Sequence, residues 1–331
     1  MNKINKSIIE YLANLGELSF NKNNSNKQKF NDIFQIEGVP LIYLYSRFFL
    51  VHLLPKQLGV CLKVFNDDQN KLTLKEESLA FLKSKMIIHY FSLLNFFKPF
   101  YSQKKKVNKT PIIFISYPRH VEFKKSIPKF YRINNIIDQI KINNQLDYNI
   151  LIVPEFSLSS NKNYNRIKNV SDYYQYVSNK QIRLAKKKSN ELHRKWKKLD
   201  KSKIPFWKSM KYPLNIYFSK PFLFSTALCY YTLRKIISLS ETKVVVLTGK
   251  TSLFERTILS LSKEMNFDVV FIPHGIPCSE IDLYHQKYPY YLVPNKSSQE
   301  TLIQRGYPKD KIENVGPVIF DDLIKYKKNV V

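Results

Sequence analysis

Five short apolar, β-branched-rich runs limit most strongly how this chain folds. They are PIIFIS at 111–116, YNILIVPE at 148–155, KVVVLTG at 243–249, DVVFIPHG at 268–275 and YYLVPN at 290–295. None alternates with polar residues, so each suits a strand covered on both faces. Such strands pair in parallel, and parallel neighbours need a crossover of helix length between them. Most of the runs are separated by segments that long; the 276–289 connection reads as a loop with one short helix. The pattern predicts a doubly wound α/β domain with a Rossmann-like parallel sheet over 109–322, followed by a tail at 323–331.

Residues 1–108 lack that rhythm and read as a mainly helical N-terminal region. After a polar Asn/Lys stretch at 21–31, the segment IEGVPLIYLYSRFFLVHLLP predicts a core-facing helix that starts at the Gly-Val-Pro turn and stops at Pro55. A second such segment is 76–97, and YSQKKKVNKT at 101–110 reads as a solvated linker. With 331 residues, 44% hydrophobic and 14% aromatic, the chain has material for two cores, which excludes a disordered protein.

Fifty-four Lys and Arg against 26 Asp and Glu give a net charge of +28, which favours anionic partners: nucleic acid, phospholipid headgroups or nucleotide-activated substrates. Lys, Asn and Ile are abundant along the whole chain, so the charge also fits a general compositional bias. Cys61, Cys229 and Cys278 lie far apart with no CxxC spacing, which points to neither a zinc site nor a disulfide framework and suits a reducing cytoplasm. The N-terminus lacks the apolar core of a signal peptide. No apolar run reaches the roughly 18 residues that span a bilayer. The nearest, at 41–54, 86–97 and 222–233, read as buried helices, although a basic protein with such stretches can also rest against the inner face of the cytoplasmic membrane.

The triplet Gly249-Lys250-Thr251 ends like a P-loop, but the second glycine that loop requires falls at Val244, inside the strand. The stretch TGKTSLFE is instead a strand–turn–helix junction. Ser252 is placed to cap the helix, Glu255 to complete a capping box, and Gly249 to relax the turn out of the strand. Phe254, Ile258, Leu261 and Met265 then share one helix face. The same grammar recurs at NKSSQETLIQRG, with Ser297 and Glu300 as the capping box and Gly306 as the left-handed stop.

In an open parallel sheet ligands bind beyond the carboxyl ends of the strands. The residues there are Ser116, Tyr117, Arg119 and His120, then Glu155, then Thr248, Gly249 and Lys250, then His274 and Gly275, and last Asn295. His274 leaves an apolar strand directly before a glycine. An imidazole so placed can take a proton at neutral pH, and it can equally do no more than hydrogen-bond a neighbouring loop. Gly275 leaves room for a substrate to approach the backbone. SYPRHVEF contains no glycine, so a dinucleotide fingerprint is absent, and Arg119 and His120 read as packing or substrate-orienting residues.

The stretch TSLFERTILSLSKEMNFDVVFIPHGIP, followed by YYLVPNKSSQETLIQRGYPKDKIENVGPVIFDDL, resembles the acceptor-side half of GT-B glycosyltransferases that build bacterial surface and capsule polysaccharides. It is similar as well to the related CDP-glycerol glycerophosphotransferases and capsule-type Kdo or sialyl transferases. The resemblance is good over 243–322 and diffuse over 110–242. It implies that His274 is the general base. Gly249 and Glu255 match the strand–helix junction, and Gly316, Pro317, Phe320 and Asp321 match the closing motif, which here lacks the family's usual Asn between Gly and Pro.

The implied reaction transfers a sugar or glycerophosphate from a nucleotide-activated donor to a hydroxyl of a glycan or lipid-linked acceptor. No Asp-x-Asp occurs, so no metal and no other cofactor is expected. In the family a second, donor-binding domain of about 150 residues follows the closing motif. Fifteen residues follow Gly316 here, so the expectation is a donor domain that is missing or separately encoded, and a chain that is incomplete alone.

The competing reading is a non-catalytic basic binding module. Residues 180–203 hold eleven Lys or Arg against Glu191 and Asp200, and Trp196 offers a surface on which a base could stack. The same stretch also reads as a solvated helix or as a contact with anionic lipid. Nucleic acid is the less expected partner.

Overall fold

The computed structural model describes residues 11–12, 14–23, 26–47, 78, 81–82, 84–89, 92, 106–124, 127–130, 133–142, 146–154, 164, 167–205, 207–249, 252–272, 289–304 and 306–316. In chain order the elements are β1 (Ser19–Asn23), β2 (Asn26–Lys29), α1 (Phe30–Ile33), β3 (Gln35–Ile36), β4 (Val39–Pro40), α2 (Leu41–Arg47), β5 (Ile112–Ser116), β6 (Val121–Lys124), β7 (Ile127–Phe130), α3 (Asn134–Ile142), β8 (Tyr148–Ile152) and β9 (Val170–Asp172). There follow α4 (Asn179–Lys198), α5 (Trp207–Tyr217), α6 (Lys220–Ser240), β10 (Val244–Leu247), α7 (Leu253–Met265), β11 (Asp268–Phe271), β12 (Tyr290–Val293), α8 (Lys296–Gln304) and β13 (Ile312–Asn314).

The chain packs as two compact units, one of residues 1–100 with 178–232 and the other of 101–177 with 233–331. The sequence predicts an unbroken sheet domain from 109 to 322, whereas 178–232 fold with the N-terminal residues. Aromatic packing is the reason. The Trp196 ring of α4 stacks on Phe218 with centroids 4.4 Å apart, and Phe34 meets Phe218 at 4.8 Å. Tyr45 of α2 stacks on Tyr217 at 5.3 Å and meets Phe222 at 5.1 Å. Two polar contacts fix the register of this core: Trp196 Nε1 donates to Asn215 Oδ1 at 3.0 Å, and the Tyr45 and Thr226 hydroxyls lie 3.0 Å apart.

The described part of the N-terminal region carries helix and, in addition, two short antiparallel hairpins. The polar stretch at 21–31 pairs as the antiparallel hairpin β1–β2 and runs on into α1. β3 and β4 form a second hairpin whose turn residues, Glu37 and Gly38, have φ of 48° and 85°. Two consecutive left-handed residues match the right-handed twist of the flanking strands, and glycine adopts that conformation most readily. At 81–89 the burial is inverted relative to a core-facing helix: Ser84 is buried, while Phe81, Leu82 and Met86 are exposed.

The second unit contains a seven-stranded sheet among its described residues, in the order β13-β12-β11-β10-β5-β8-β9, with every pairing parallel. This is the doubly wound α/β arrangement. β5 and β10 form its centre, with Val245 paired to Ile113 and Val246 to Phe114. On one face Phe114, Ile150, Ile152, Val170 and Val246 pack with Ile133 and Ile137, which start α3 and lie within it. The residues between them, Ile113, Ile115, Leu151, Val245 and Leu247, are buried as well, so the sheet is covered on both faces. The edge strands β9 and β13, three residues each, add to the five runs that the sequence predicts. The antiparallel hairpin β6–β7 follows β5 and supplies Phe130 to the core.

Phe218 is buried between Trp196, Phe34 and Phe30. Phe218→Ala is expected to destabilise the first unit by about 3–5 kcal/mol. Denaturant unfolding followed by tryptophan fluorescence reads the loss directly, because Trp196 is the stacked partner.

Candidate functional site at the strand switch

Strand order reverses between β5 and β10, since β5 is followed in the chain by strands on one side and β10 by strands on the other. In open α/β sheets the ligand crevice lies beyond the carboxyl ends of the strands at such a switch point. β5 ends at Ser116, and Pro118 then starts a single 3₁₀ turn over Pro118–His120. β10 ends at Leu247, and the chain passes Thr248 and Gly249 before Ser252 caps α7.

The two loops meet through side chains. The buried Tyr117 hydroxyl lies 2.6 Å from Ser252 Oγ. Ser252 Oγ also accepts from Glu255 N at 3.2 Å, and Ser252 N donates to Glu255 Oε2 at 2.9 Å, which completes a reciprocal capping box. Glu255 is only 2% exposed. The reason for a glycine at 249 is space: its φ is not left-handed, but a Cβ there would collide with Glu255 Oε1. The carboxylate thus rests directly on the backbone where β10 ends.

Burial, and next the Glu255 carboxylate, hold the Tyr117 phenol well above the usual phenol range, while the contact with Ser252 works the other way. Tyr117 is therefore a neutral hydroxyl at physiological pH and acts as a hydrogen-bonding group, not as a base. Arg119 is exposed, with its guanidinium 5.6 Å from the Tyr117 ring centroid. Its Nε donates to Nε2 of the buried His120 at 3.3 Å, and the His120 ring stands edge-on to Tyr117.

A helix N-terminus attracts an anion through its free N–H groups and dipole. At α7 that place is filled by the chain's own carboxylate. A phosphate brought to Ser252 N would have to displace Glu255 or sit beside a like charge.

The structure thus brings Ser116, Arg119, His120, Gly249, Ser252 and Glu255 together at the carboxyl rim of β5 and β10, with Tyr117, which the sequence shows only as a strand-end residue. Asn295 lies beyond β12, three strands from β5 and about 14 Å away at the usual strand spacing. Its Oδ1 accepts from Ser298 N at 2.8 Å, so Asn295, and not Ser297, caps α8. Gly306 is left-handed with φ 82° and ends α8 as expected of a C-terminal glycine. Gly316 is left-handed too, with φ 78°.

Lys250, Glu155, His274, Gly275, Pro317, Phe320 and Asp321 lie outside the described residues. The chain does leave β11 on the same edge as β10, since Ile272 N donates to Leu247 O at 2.8 Å. Among the described residues no cluster of His, Cys, Asp and Glu is arranged to hold a metal ion. α7 is buried around most of its circumference, not along one stripe. Arg256, one of the largest fully buried side chains, is on it, and no sequence periodicity signals this.

No known protein family matches the chain, and no curated protein matches its sequence. Among solved structures, the UDP-GlcNAc 2-epimerase of Neisseria meningitidis bound to UDP-GlcNAc is similar at 11% identity, over 66% of this chain and 50% of that enzyme, with a TM-score of 0.38. The UDP-GlcNAc 2-epimerase of Methanocaldococcus jannaschii is similar at 14% identity, over 66% of this chain and 48% of that enzyme, with a TM-score of 0.35. The chain spans about half the length of these enzymes.

Gly249→Ala is expected to expel the Glu255 carboxylate and lower stability by about 1–3 kcal/mol, more than the roughly 1 kcal/mol expected for Ser252→Ala. In a Glu255→Ala background the collision is gone, so the cost of Gly249→Ala should fall by at least half. Thermal unfolding of the four proteins measures that coupling; additive losses would mean that the two positions do not touch. Because folding raises the Tyr117 pKa, its contribution is complete below the unfolded phenol value of about 10 and is lost as pH rises beyond it. Tyr117→Phe should therefore flatten the alkaline fall in stability above about pH 10.

Proposed function

We propose that the second unit is the acceptor-side half of a GT-B-type transferase acting on nucleotide-activated sugars or glycerophosphate in surface-glycan synthesis. The observation that carries this reading is the sealed N-terminus of α7. The sheet offers a crevice at the position where doubly wound folds bind ligands, yet the helix end that elsewhere takes a phosphate already holds Glu255. Such a crevice suits a neutral, hydroxyl-bearing acceptor better than a nucleotide diphosphate. The motif resemblance over 243–322 supports the same assignment.

In this reading the acceptor hydroxyl lies at the carboxyl rim of β5, β10 and β11. His274, two residues beyond Ile272, takes its proton as the oxygen attacks the anomeric carbon or the activated phosphorus. The proton passes to the imidazole. For sugar transfer the bond from the anomeric carbon to the nucleoside diphosphate breaks; for glycerophosphate transfer the phosphoanhydride bond breaks and a nucleoside monophosphate leaves. In either case the leaving group stays with a donor-binding domain, whichever polypeptide carries it. Exposed Arg119 and the Tyr117–Ser252 pair line the approach and orient the acceptor. No step calls for a metal or another cofactor.

Two measurements test the reading. With a donor-binding domain supplied, His274→Ala should reduce nucleotide release from the productive sugar nucleotide by about 100-fold or more, and equal turnover would remove His274 from the mechanism. Amide exchange at 252–255 should be unchanged by millimolar UDP or CDP added to this chain alone. Protection there would show an open phosphate seat and overturn the acceptor-side assignment.

A further inference from the structure

We propose that the outward face of α4 docks the protein onto an anionic phospholipid surface. α4 carries nine Lys or Arg and one Glu in twenty residues, so it is about 30 Å long. Its buried seam is Gln181, Ala185, Ser189, Leu192 and Trp196, which follows a helical stripe and ties the helix to the first unit's aromatic core. That seam fixes which way the remaining residues point. Lys180, Arg183, Lys186, Lys187, Arg194, Lys195, Lys197 and Lys198 are all exposed.

Among the described residues the face is poorly neutralised. Its ion pairs among the described residues both use Glu191, with Lys195 at 2.7 Å and Lys188 at 3.7 Å. Arg183 and Lys187, like Arg194 and Lys198, stand one turn apart as like charges, a spacing that weakens a helix by about 0.2–0.5 kcal/mol per pair. Packing of the seam offsets this, and an anionic surface would remove it.

Three features select a lipid surface over nucleic acid. The aromatic ring available for base stacking, Trp196, is 3% exposed and already stacked on Phe218. Seven of the nine cations are Lys, a hydrated point charge suited to a diffuse headgroup layer, whereas bidentate recognition of bases uses Arg. An apolar side chain accompanies the charge: Leu184, between Arg183 and the cations of the next turn, is 37% exposed on α4 itself. Basic and apolar groups together are what an interfacial surface element needs. Among the described residues no helix is long and apolar enough to cross a bilayer, so the contact is with the surface.

Flotation of the full chain with vesicles tests the proposal. Binding is expected to vesicles of phosphatidylcholine with about 30% phosphatidylglycerol, to be absent with phosphatidylcholine alone, and to fall at least tenfold between about 0.05 and 0.5 M salt. The variant Arg183→Glu, Lys187→Glu, Arg194→Glu, Lys198→Glu should lose at least about 100-fold in partitioning. The same four positions changed to Gln, which removes charge without reversing it, should lose about tenfold or more with an unchanged circular dichroism spectrum. Equal binding to neutral vesicles, or undiminished binding by the Gln variant, would overturn the proposal. So would tight, salt-resistant binding of RNA at about 0.2 M salt without vesicle binding, which would assign the face to nucleic acid instead.

Discussion

The parallel pairing of β5 with β10 is the constraint on which the second unit depends. Both strands are buried on both faces, and each continues the sheet in an opposite direction. Reversal of strand order at that pairing separates the loops that leave it, so a crevice is a geometric consequence of the topology and needs no special residues. What the sequence adds is the filling. Tyr117 from one loop and Ser252 with Glu255 from the other meet across the gap and tie the two halves of the sheet at the rim. Loss of the β5–β10 register would therefore separate the site residues as well as the core.

The central strands were legible because covered parallel strands must be apolar on both sides, and a run such as VVVL at 244–247 permits little else. The junction at 249–255 was legible because Ser252 stands three residues before Glu255 just where the apolar helix face begins, the spacing of a capping box; the same spacing at Ser297 and Glu300 misled, because it starts inside α8, which Asn295 caps. Edge strands escaped notice because they need no such composition. β13 buries only Ile312 of its three residues, and β9 reads as VSD. Pairing with a neighbour defines them, and pairing leaves no local periodicity. The hairpin at 19–29 was hidden for the same reason, since its polar residues pair through their backbones. Burial of Tyr117 was hidden differently: what encloses it is a residue 135 positions away, brought near only by the fold.

Capping residues show how one side chain decides a site's chemistry. Ser252 alone would satisfy one amide and leave the α7 terminus attractive to an outside anion. Glu255 changes that, because its carboxylate both accepts from Ser252 N and occupies the positive end of the dipole. Gly249 makes the arrangement possible by leaving the carboxylate room against the strand end. The three residues work as a unit, and their combined effect is to turn a common phosphate seat into a closed, hydroxyl-lined wall. Asn295 plays the single-residue version of this role at α8, where no carboxylate accompanies it across the helix end.

The connection from β9 to β10 has to return from the sheet's edge past β8 and β5, about 14 Å at ordinary strand spacing, before β10 can pair. It is thus the crossover with the most length to cover, and the place where added chain disturbs the sheet least. The residues at 178–232 lie within it, and their aromatic side chains pack on Phe30, Phe34 and Tyr45 of the N-terminal residues. Two separate cores follow from that choice. A helix anchored in the first core can carry an unbalanced row of cations on its exposed positions because its buried seam is uncharged. At the rim of β5 and β10 the Tyr117 and Ser252 hydroxyls, the buried Glu255 carboxylate and the exposed Arg119 stand together among the described residues.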